Sequence, residues 1–143
     1  VDEADAAGLS HIIGRNKIDT VWMNIRPGKG LLTICHCCPC CCLWKVYPNL
    51  HEDISGKLEK LEGIDVKLQE DNCKLCKKCL DEVCMFDAIS LIDNKITIDQ
   101  DICRGCGLCV NACKFDAISI EYSDETIDNV VNRMDNLIEI KEL

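Results

Sequence analysis

Two stretches of this 143-residue chain carry the same pattern, and that repetition limits the fold more than any other feature. The segment VKLQEDNCKLCKKCLDEVCMFDAISLI at 66–92 realigns with ITIDQDICRGCGLCVNACKFDAISIEY at 96–122. Both run from a short alternating apolar segment through Cys-x2-Cys-x2-Cys to a fourth cysteine and then FDAIS. The offset is 30 between Cys73 and Cys103 but 29 between Phe86 and Phe115, so the first copy holds one extra residue between its third and fourth cysteines. Each copy predicts a strand, a cysteine loop, one short helical turn and a second strand. Two such copies close on each other as a small α+β unit with approximate two-fold symmetry.

The flanks read differently. Val1–Ala7 reads as a helix stopped by Gly8, and a chain that opens on valine inside a helix is expected to be a fragment of a longer one. Thr20–Ile25 and Leu31–Ile34 are apolar enough for two strands, with Pro27-Gly28 as a turn between them. Residues 49–65 form a polar connector with a short helix stopped by Gly63. Ser123 is placed to cap a final helix whose first turn holds Asp124 and Glu125, suiting the helix dipole. Ile127, Val130, Val131, Met134, Leu137 and Ile138 fall on one face of it, a stripe that predicts packing. The division expected is 1–65, 66–122 and 123–143.

Composition explains why the cysteines must hold the fold as well as its chemistry. The 48% hydrophobic fraction counts 14 cysteines, and only six residues are aromatic, so the core is lean for this length. Cysteine at this density means disulfides, metal or clusters. No apolar run reaches the roughly 18 residues of a membrane helix, and Val1–Ala7 has no apolar h-region, so no membrane segment and a cytoplasmic setting are expected. Disulfides lose ground in that setting. Net charge is −9 and no segment is basic; residues 123–143 hold six acidic and two basic side chains. A nucleic-acid partner is therefore not expected.

Cys-x2-Cys-x2-Cys followed by a fourth Cys is the ligand run of a [4Fe–4S] cluster. Three thiolates two residues apart on a tight loop wrap one corner of an iron–sulfur cube, and the far iron takes its ligand from elsewhere. Zinc also uses Cys-x2-Cys pairs, but four ligands suffice for it and two three-cysteine runs are superfluous. Here the sequence resembles the bacterial-type 2[4Fe–4S] ferredoxins, over residues 66–122. In that family the fourth cysteine of each run serves the other cluster. The rule assigns Cys73, Cys76, Cys79 and Cys113 to one cluster, and Cys103, Cys106, Cys109 and Cys84 to the other. Gly105 and Gly107 let the second loop pass close to its cube; Leu75, Lys77 and Lys78 make the first loop stiffer and more positive. Met85 and Lys114 stand where the family usually has proline after the fourth cysteine. The resemblance implies low-potential one-electron transfer through two clusters.

Cys35, Cys37, Cys38, Cys40, Cys41 and Cys42 lie within eight positions, interrupted by His36 and Pro39. Bridging adjacent cysteines strains the backbone, so six here do not form a disulfide set. Side chains of an extended segment alternate sides, so Cys41 and Cys42 cannot both face one cube unless the chain curls. The reading favoured is a third iron–sulfur site of undefined type, with His36 as a further candidate ligand. Zinc or another thiolate-bound metal, and free redox thiols, are the alternatives. His11 reads as a packed or capping histidine and His51 as a surface residue. EADAAGLSH at 3–11, ICHCCPCCC at 34–42 and the two ferredoxin runs together resemble the C-terminal half of multidomain iron–sulfur proteins of anaerobic archaea and bacteria. Those usually have Asn in place of His36 and a helical or winged-helix-like region upstream, which implies an upstream domain of the same polypeptide and electron delivery in anaerobic metabolism.

Two functions follow from these readings. One is an electron-transfer module in which two [4Fe–4S] clusters exchange single electrons with a third site in the Cys35–Cys42 loop. The other is a reductase, or a subunit of one, whose loop cluster binds substrate. No Gly-rich phosphate loop marks a nicotinamide or flavin domain, and no nucleophile–base pair stands out. With about −2 on each oxidised cube, the total charge reaches about −13, which predicts a redox partner or neighbouring subunit with a basic docking face.

Overall fold

Each copy of the repeat folds as a strand on either side of its cysteine loop. The computed structural model describes residues 1–14, 17–81 and 83–137. Along the chain run α1 (Asp2–Ala6), β1 (Ser10–Gly14), α2 (Lys17–Trp22), β2 (Thr33–Cys37), α3 (Glu52–Ser55), β3 (Asp65–Leu68), β4 (Ile89–Ile92), β5 (Lys95–Ile98), α4 (Leu108–Ala112), β6 (Ile118–Glu121) and α5 (Asp124–Leu137). The strands pair in three antiparallel two-stranded sheets, β1 with β2, β3 with β6, and β4 with β5. The first strand of copy one therefore pairs with the last strand of copy two, Val66 opposite Ile120 and Leu68 opposite Ile118. The inner strands form a hairpin, Ile89 opposite Ile98. Its two-residue turn is Asp93-Asn94, both at positive φ (+48° and +61°), the geometry that matches the twist of hairpin strands and that Asp and Asn tolerate.

Alternation along these short strands selects the core. Val66, Ile89, Ile96 and Ile118 are buried together with Cys109. Both copies contribute, so neither can bury its apolar face alone. Isolated two-stranded sheets are marginal in water, and here the closure of one copy on the other removes the exposed faces.

A second buried group joins the N-terminal region to this unit: Cys37 of β2 with Met85, Phe86 and Leu108. Cys37 and Met85 are 1% and 2% exposed, the largest of the fully buried side chains among the described residues. The Ser10 hydroxyl adds a 2.7 Å hydrogen bond to the Cys106 carbonyl.

Three local expectations are corrected. Thr20–Ile25 is not a strand: helix α2 takes Lys17–Trp22, and amide bonds from Met23 to Asp19 (2.9 Å) and from Ile25 to Thr20 (3.0 Å) continue the coil. The partner of β2 is β1 instead, and that pairing presents Cys35 and Cys37 to Met85 and Leu108, contacts that an exposed strand at Val21–Met23 does not offer. The connector helix α3 ends at Gly56 rather than Gly63, and His51 caps it by accepting from the Asp53 amide at 3.3 Å. Gly63, at φ +80°, instead lies beneath α5.

Helix α5 begins as expected, with Ser123 Oγ accepting from the Thr126 amide at 3.3 Å. Its buried face differs from the predicted stripe. Thr126 is 4% exposed and its hydroxyl donates to the Gly63 carbonyl at 3.4 Å, which sets the helix rotation. Val130 and Met134 follow Thr126 inward, one turn apart, while Ile127 and Val131 stay outside. Ile138 lies outside the described residues. Among the described residues no helix is long and apolar enough to cross a membrane.

Candidate metal centres

The two cysteine loops share a backbone shape despite unlike sequences. In copy two, Gly105 and Gly107 adopt φ of +66° and +80°. The aligned residues of copy one, Leu75 and Lys77, adopt +52° and +62°, a left-handed conformation that costs a non-glycine residue about 1–2 kcal/mol. The aspartates of the two FDAIS segments also agree, Asp87 at +55° and Asp116 at +50°. The fold thus imposes one loop conformation on both copies, and copy one carries strain that glycine relieves in copy two. Gly105 has a second constraint, since a Cβ there would meet Ile64 Cγ2 at 3.2 Å.

These loops, with the fourth cysteines, line two small cavities. Cys73, Cys76, Cys79 and Cys113 line one. Cys84, Cys103, Cys106 and Cys109 line the other. In each, three cysteines come from one copy and the fourth from the other. Backbone amides point at the sulfurs: Gly105 N–H at Cys103 Sγ (3.4 Å) and Ala88 N–H at Cys84 Sγ (3.3 Å). Burial pushes the Cys109 thiol up to about 12, with Cys106, Cys103 and Cys84 adding repulsion between prospective thiolates. Burial also raises Cys106 and Cys79, the latter further opposed by Cys73, Cys76 and Cys113. Partly or fully buried thiols such as Cys79, Cys106 and Cys109, set among further cysteines, form sites that a multiply charged metal centre completes, because the cation supplies what burial removes. The donor chemistry fits a [4Fe–4S] cube in both cavities.

The six-cysteine loop divides in two. Strand β2 alternates, so Cys35 and Cys37 face inward while Ile34 and His36 face outward. Cys42 returns to the inner side: Cys35 and Cys42 pack on the buried group of Cys37, Met85, Phe86 and Leu108, on which Cys84 and Cys106 also pack. Burial is the first cause of a raised Cys37 thiol, followed by its hydrogen bond to Cys42. Cys38, Cys40 and Cys41 lie on the turn around Pro39 and point the other way. Their sulfurs are close, Cys38 to Cys40 at 2.9 Å, Cys38 to Cys41 at 3.5 Å and Cys40 to Cys41 at 3.7 Å. Hydrogen bonding, first from the Cys40 thiol, lowers Cys38 to about 6, and the same contacts push Cys41 up to about 11. One thiolate shared among three sulfurs is a ready metal ligand set.

His36 is not in that triplet. It sits across the sheet from His11, Nδ1 to Nδ1 at 2.8 Å with the rings edge to face. A groove of about 370 Å³ opens beside this pair, with His11, Leu58, Arg104, Cys106 and Met134 in its wall.

Reading the residues alone misses three things. One is the inward and outward division of the loop. The others are the anchoring of the loop by Met85 and Leu108, and the bond from Ser10 to Cys106. Methionine in place of the usual proline was the available signal for the second.

Comparison with known proteins agrees with this chemistry. Residues 96–119 match the family described as 4Fe-4S binding domain. An uncharacterized ferredoxin of Methanocaldococcus jannaschii is 41% identical over 81 residues, covering 51% of this chain and 49% of that protein. Pyruvate synthase subunit PorD of Methanothermobacter marburgensis is 37% identical over 54 residues, covering 38% of this chain and 62% of the subunit. Indolepyruvate oxidoreductase subunit IorA of the same organism is 38% identical over 61 residues, 43% of this chain but 10% of the subunit. The chain thus spans less than two thirds of each of these relatives.

Proposed function

We propose that this chain, which carries a ferredoxin-type 4Fe–4S domain, serves electron transfer between a redox partner and a metal site in its own Cys35–Cys42 loop. Cys73, Cys76, Cys79 and Cys113 hold one [4Fe–4S] cluster; Cys103, Cys106, Cys109 and Cys84 hold a second. When bound, such clusters supply one-electron, low-potential redox chemistry. The chain's own part is to fix the thiolates, aim the Gly105 and Ala88 amides at sulfur, and exclude water through Val66, Ile89, Ile96 and Ile118. Amides on the sulfurs and low solvent access are levers on reduction potential. The matching φ angles of the two loops and the β3–β6 and β4–β5 pairings support a pseudo-two-fold ferredoxin unit at 66–122, between an N-terminal region at 1–65 and a C-terminal helix at 123–143.

The observation that carries the relay is the packing of the loop on the second set of cysteines. Cys35, Cys37 and Cys42 share a buried group with Cys84 and Cys106, so loop, second set and first set follow one another through the molecule. The third site takes Cys38, Cys40 and Cys41 as its outer ligands and an iron–sulfur cluster as its cargo. The partners in this reading are a redox enzyme or a neighbouring subunit, and a further domain of the same polypeptide. The test is anaerobic redox titration with EPR. An additional signal lost on replacing Cys38, Cys40 and Cys41 by serine, with the ferredoxin signals retained, is the expected result. Zinc in the loop in place of iron contradicts the third cluster.

A second reading, a reductase with substrate at the loop, draws on the exposure of Cys40 and Cys41. Cys38, Cys40 and Cys41 would hold a metal through three sulfurs and could leave a coordination position for substrate. A substrate that perturbs the loop's signal alone supports this reading, and no response across oxyanions and thiols favours simple electron transfer.

A further inference from the structure

The positive charge of the ferredoxin repeat is gathered at one end. Residues 73–122 contain six basic side chains, Lys74, Lys77, Lys78, Lys95, Arg104 and Lys114. Four of them, Lys74, Lys77, Lys78 and Lys114, are exposed on the two segments that carry the first cysteine set. Three of these line its cavity, and among the described residues no carboxylate does.

Two other lysines are held in ion pairs, Lys67 with Asp65 at 3.2 Å and Lys95 with Glu70 at 2.9 Å. Among the described residues, no ion pair forms at Lys74, Lys77, Lys78 or Lys114. Asp71, Asp81 and Asp116 are exposed nearby in sequence without lining the cavity. Cys76 is the exposed thiol of this set, and Phe115, 43% exposed, adds an apolar contact on the cavity wall. The N-terminal region supplies no residue to this cavity, whereas it packs directly on the second set.

We propose that this end, Cys76 framed by Lys74, Lys77, Lys78, Lys114 and Phe115, is the docking face for an acidic one-electron carrier protein. The inference rests on the assignment of a cluster to Cys73, Cys76, Cys79 and Cys113. Net charge alone points to a basic partner, but net charge acts at long range. At physiological ionic strength the Debye length is about 8 Å, so the charges within that distance of a docked surface decide the sign. Three lysines line the cavity and Lys114 is exposed beside it, so even with about −2 on an oxidised cube the rim around Cys76 stays positive. The same asymmetry makes the molecule a dipole that turns this end toward an approaching anionic protein. A basic partner fits the rest of the surface, the acidic residues 123–143 above all.

The test uses the cluster-loaded chain and an acidic flavodoxin as probe, with binding measured calorimetrically at low and at physiological salt. Wild-type protein is expected to bind, with affinity falling as salt rises. K74E/K77E/K78E should weaken binding by about tenfold or more, while the triple K29E/K45E/K57E, in the N-terminal region that lends no described residue to this cavity, changes it by less than about twofold. EPR of the reduced proteins is recorded first. Absence of the two ferredoxin signals in wild-type protein overturns the cluster assignment itself. Retained signals with no binding, or with equal affinity for both triples, overturn the docking face alone.

Discussion

Truncating Met85 tests whether the N-terminal region is anchored to the ferredoxin unit by packing. Met85 is 2% exposed and touches Cys37, which is 1% exposed, and Phe86 and Leu108 complete the contact. Met85→Ala removes two side-chain carbons and the thioether sulfur. At about 0.8 kcal/mol per methylene-sized group the transfer loss alone is about 2 kcal/mol, and the residual cavity raises large-to-small changes of this kind to about 2–5 kcal/mol. A loss of about 3 kcal/mol in a chain of this size lowers the melting midpoint by roughly 6–12 °C. Met85→Leu keeps volume and should cost under about 1.5 kcal/mol. The assay is anaerobic far-UV circular dichroism on cluster-loaded protein, paired with limited proteolysis of the 49–65 connector, which should be cut faster in the alanine variant. A midpoint for Met85→Ala within about 2 °C of wild type, or an equal loss for the leucine variant, refutes the anchoring argument.

Other substitutions probe the backbone and the loop. Gly63→Ala forces φ +80° on a residue with a Cβ and drives that atom into Thr126 Oγ1, so a loss above about 1 kcal/mol is expected in urea unfolding, with α5 the first element to lose hydrogen-exchange protection. Lys77→Gly should act in the opposite sense, stabilising by about 0.5–1 kcal/mol through relief of the left-handed strain at φ +62°; a loss in the same urea titration contradicts the strain. Cys38 should be the fastest-alkylated loop thiol once the loop is freed of metal by a chelator. Its pKa, lowered to about 6, means thiolate above that pH and thiol below it, so the rate should fall by half near pH 6 and continue down. Cys41, raised to about 11, should stay slow throughout that range, and mass-spectrometric mapping that finds Cys41 first contradicts the hydrogen-bonded triplet.

The repeat carried most of what the sequence could disclose about the ferredoxin unit. Cysteine spacing and two copies of FDAIS predict the loops and their flanking strands, because ligand geometry leaves little latitude. The flanks were less legible. Thr20–Ile25 reads as a strand from its apolar residues, yet Val21 and Trp22 are 74% and 82% exposed, and local hydrogen bonding prevails where no sheet offers burial. The face of α5 was misjudged by about one position because a hydroxyl bond at Thr126, not apolar area, sets its rotation. Six cysteines in eight positions announce metal chemistry but not their division, which depends on where β2 meets Met85. Copy one hides its likeness to copy two in the same manner, since Leu75 and Lys77 give no hint of a glycine-like conformation.

The third site is tested most directly by an iron and acid-labile sulfide count on anaerobically purified protein beside its C38S/C40S/C41S variant. Two cubes account for about eight irons. More than that is expected in the wild-type chain and a return to about eight in the variant, with both ferredoxin EPR signals intact. Eight or fewer irons in the wild-type chain, or zinc in place of the excess, would contradict the loop as a third iron–sulfur site.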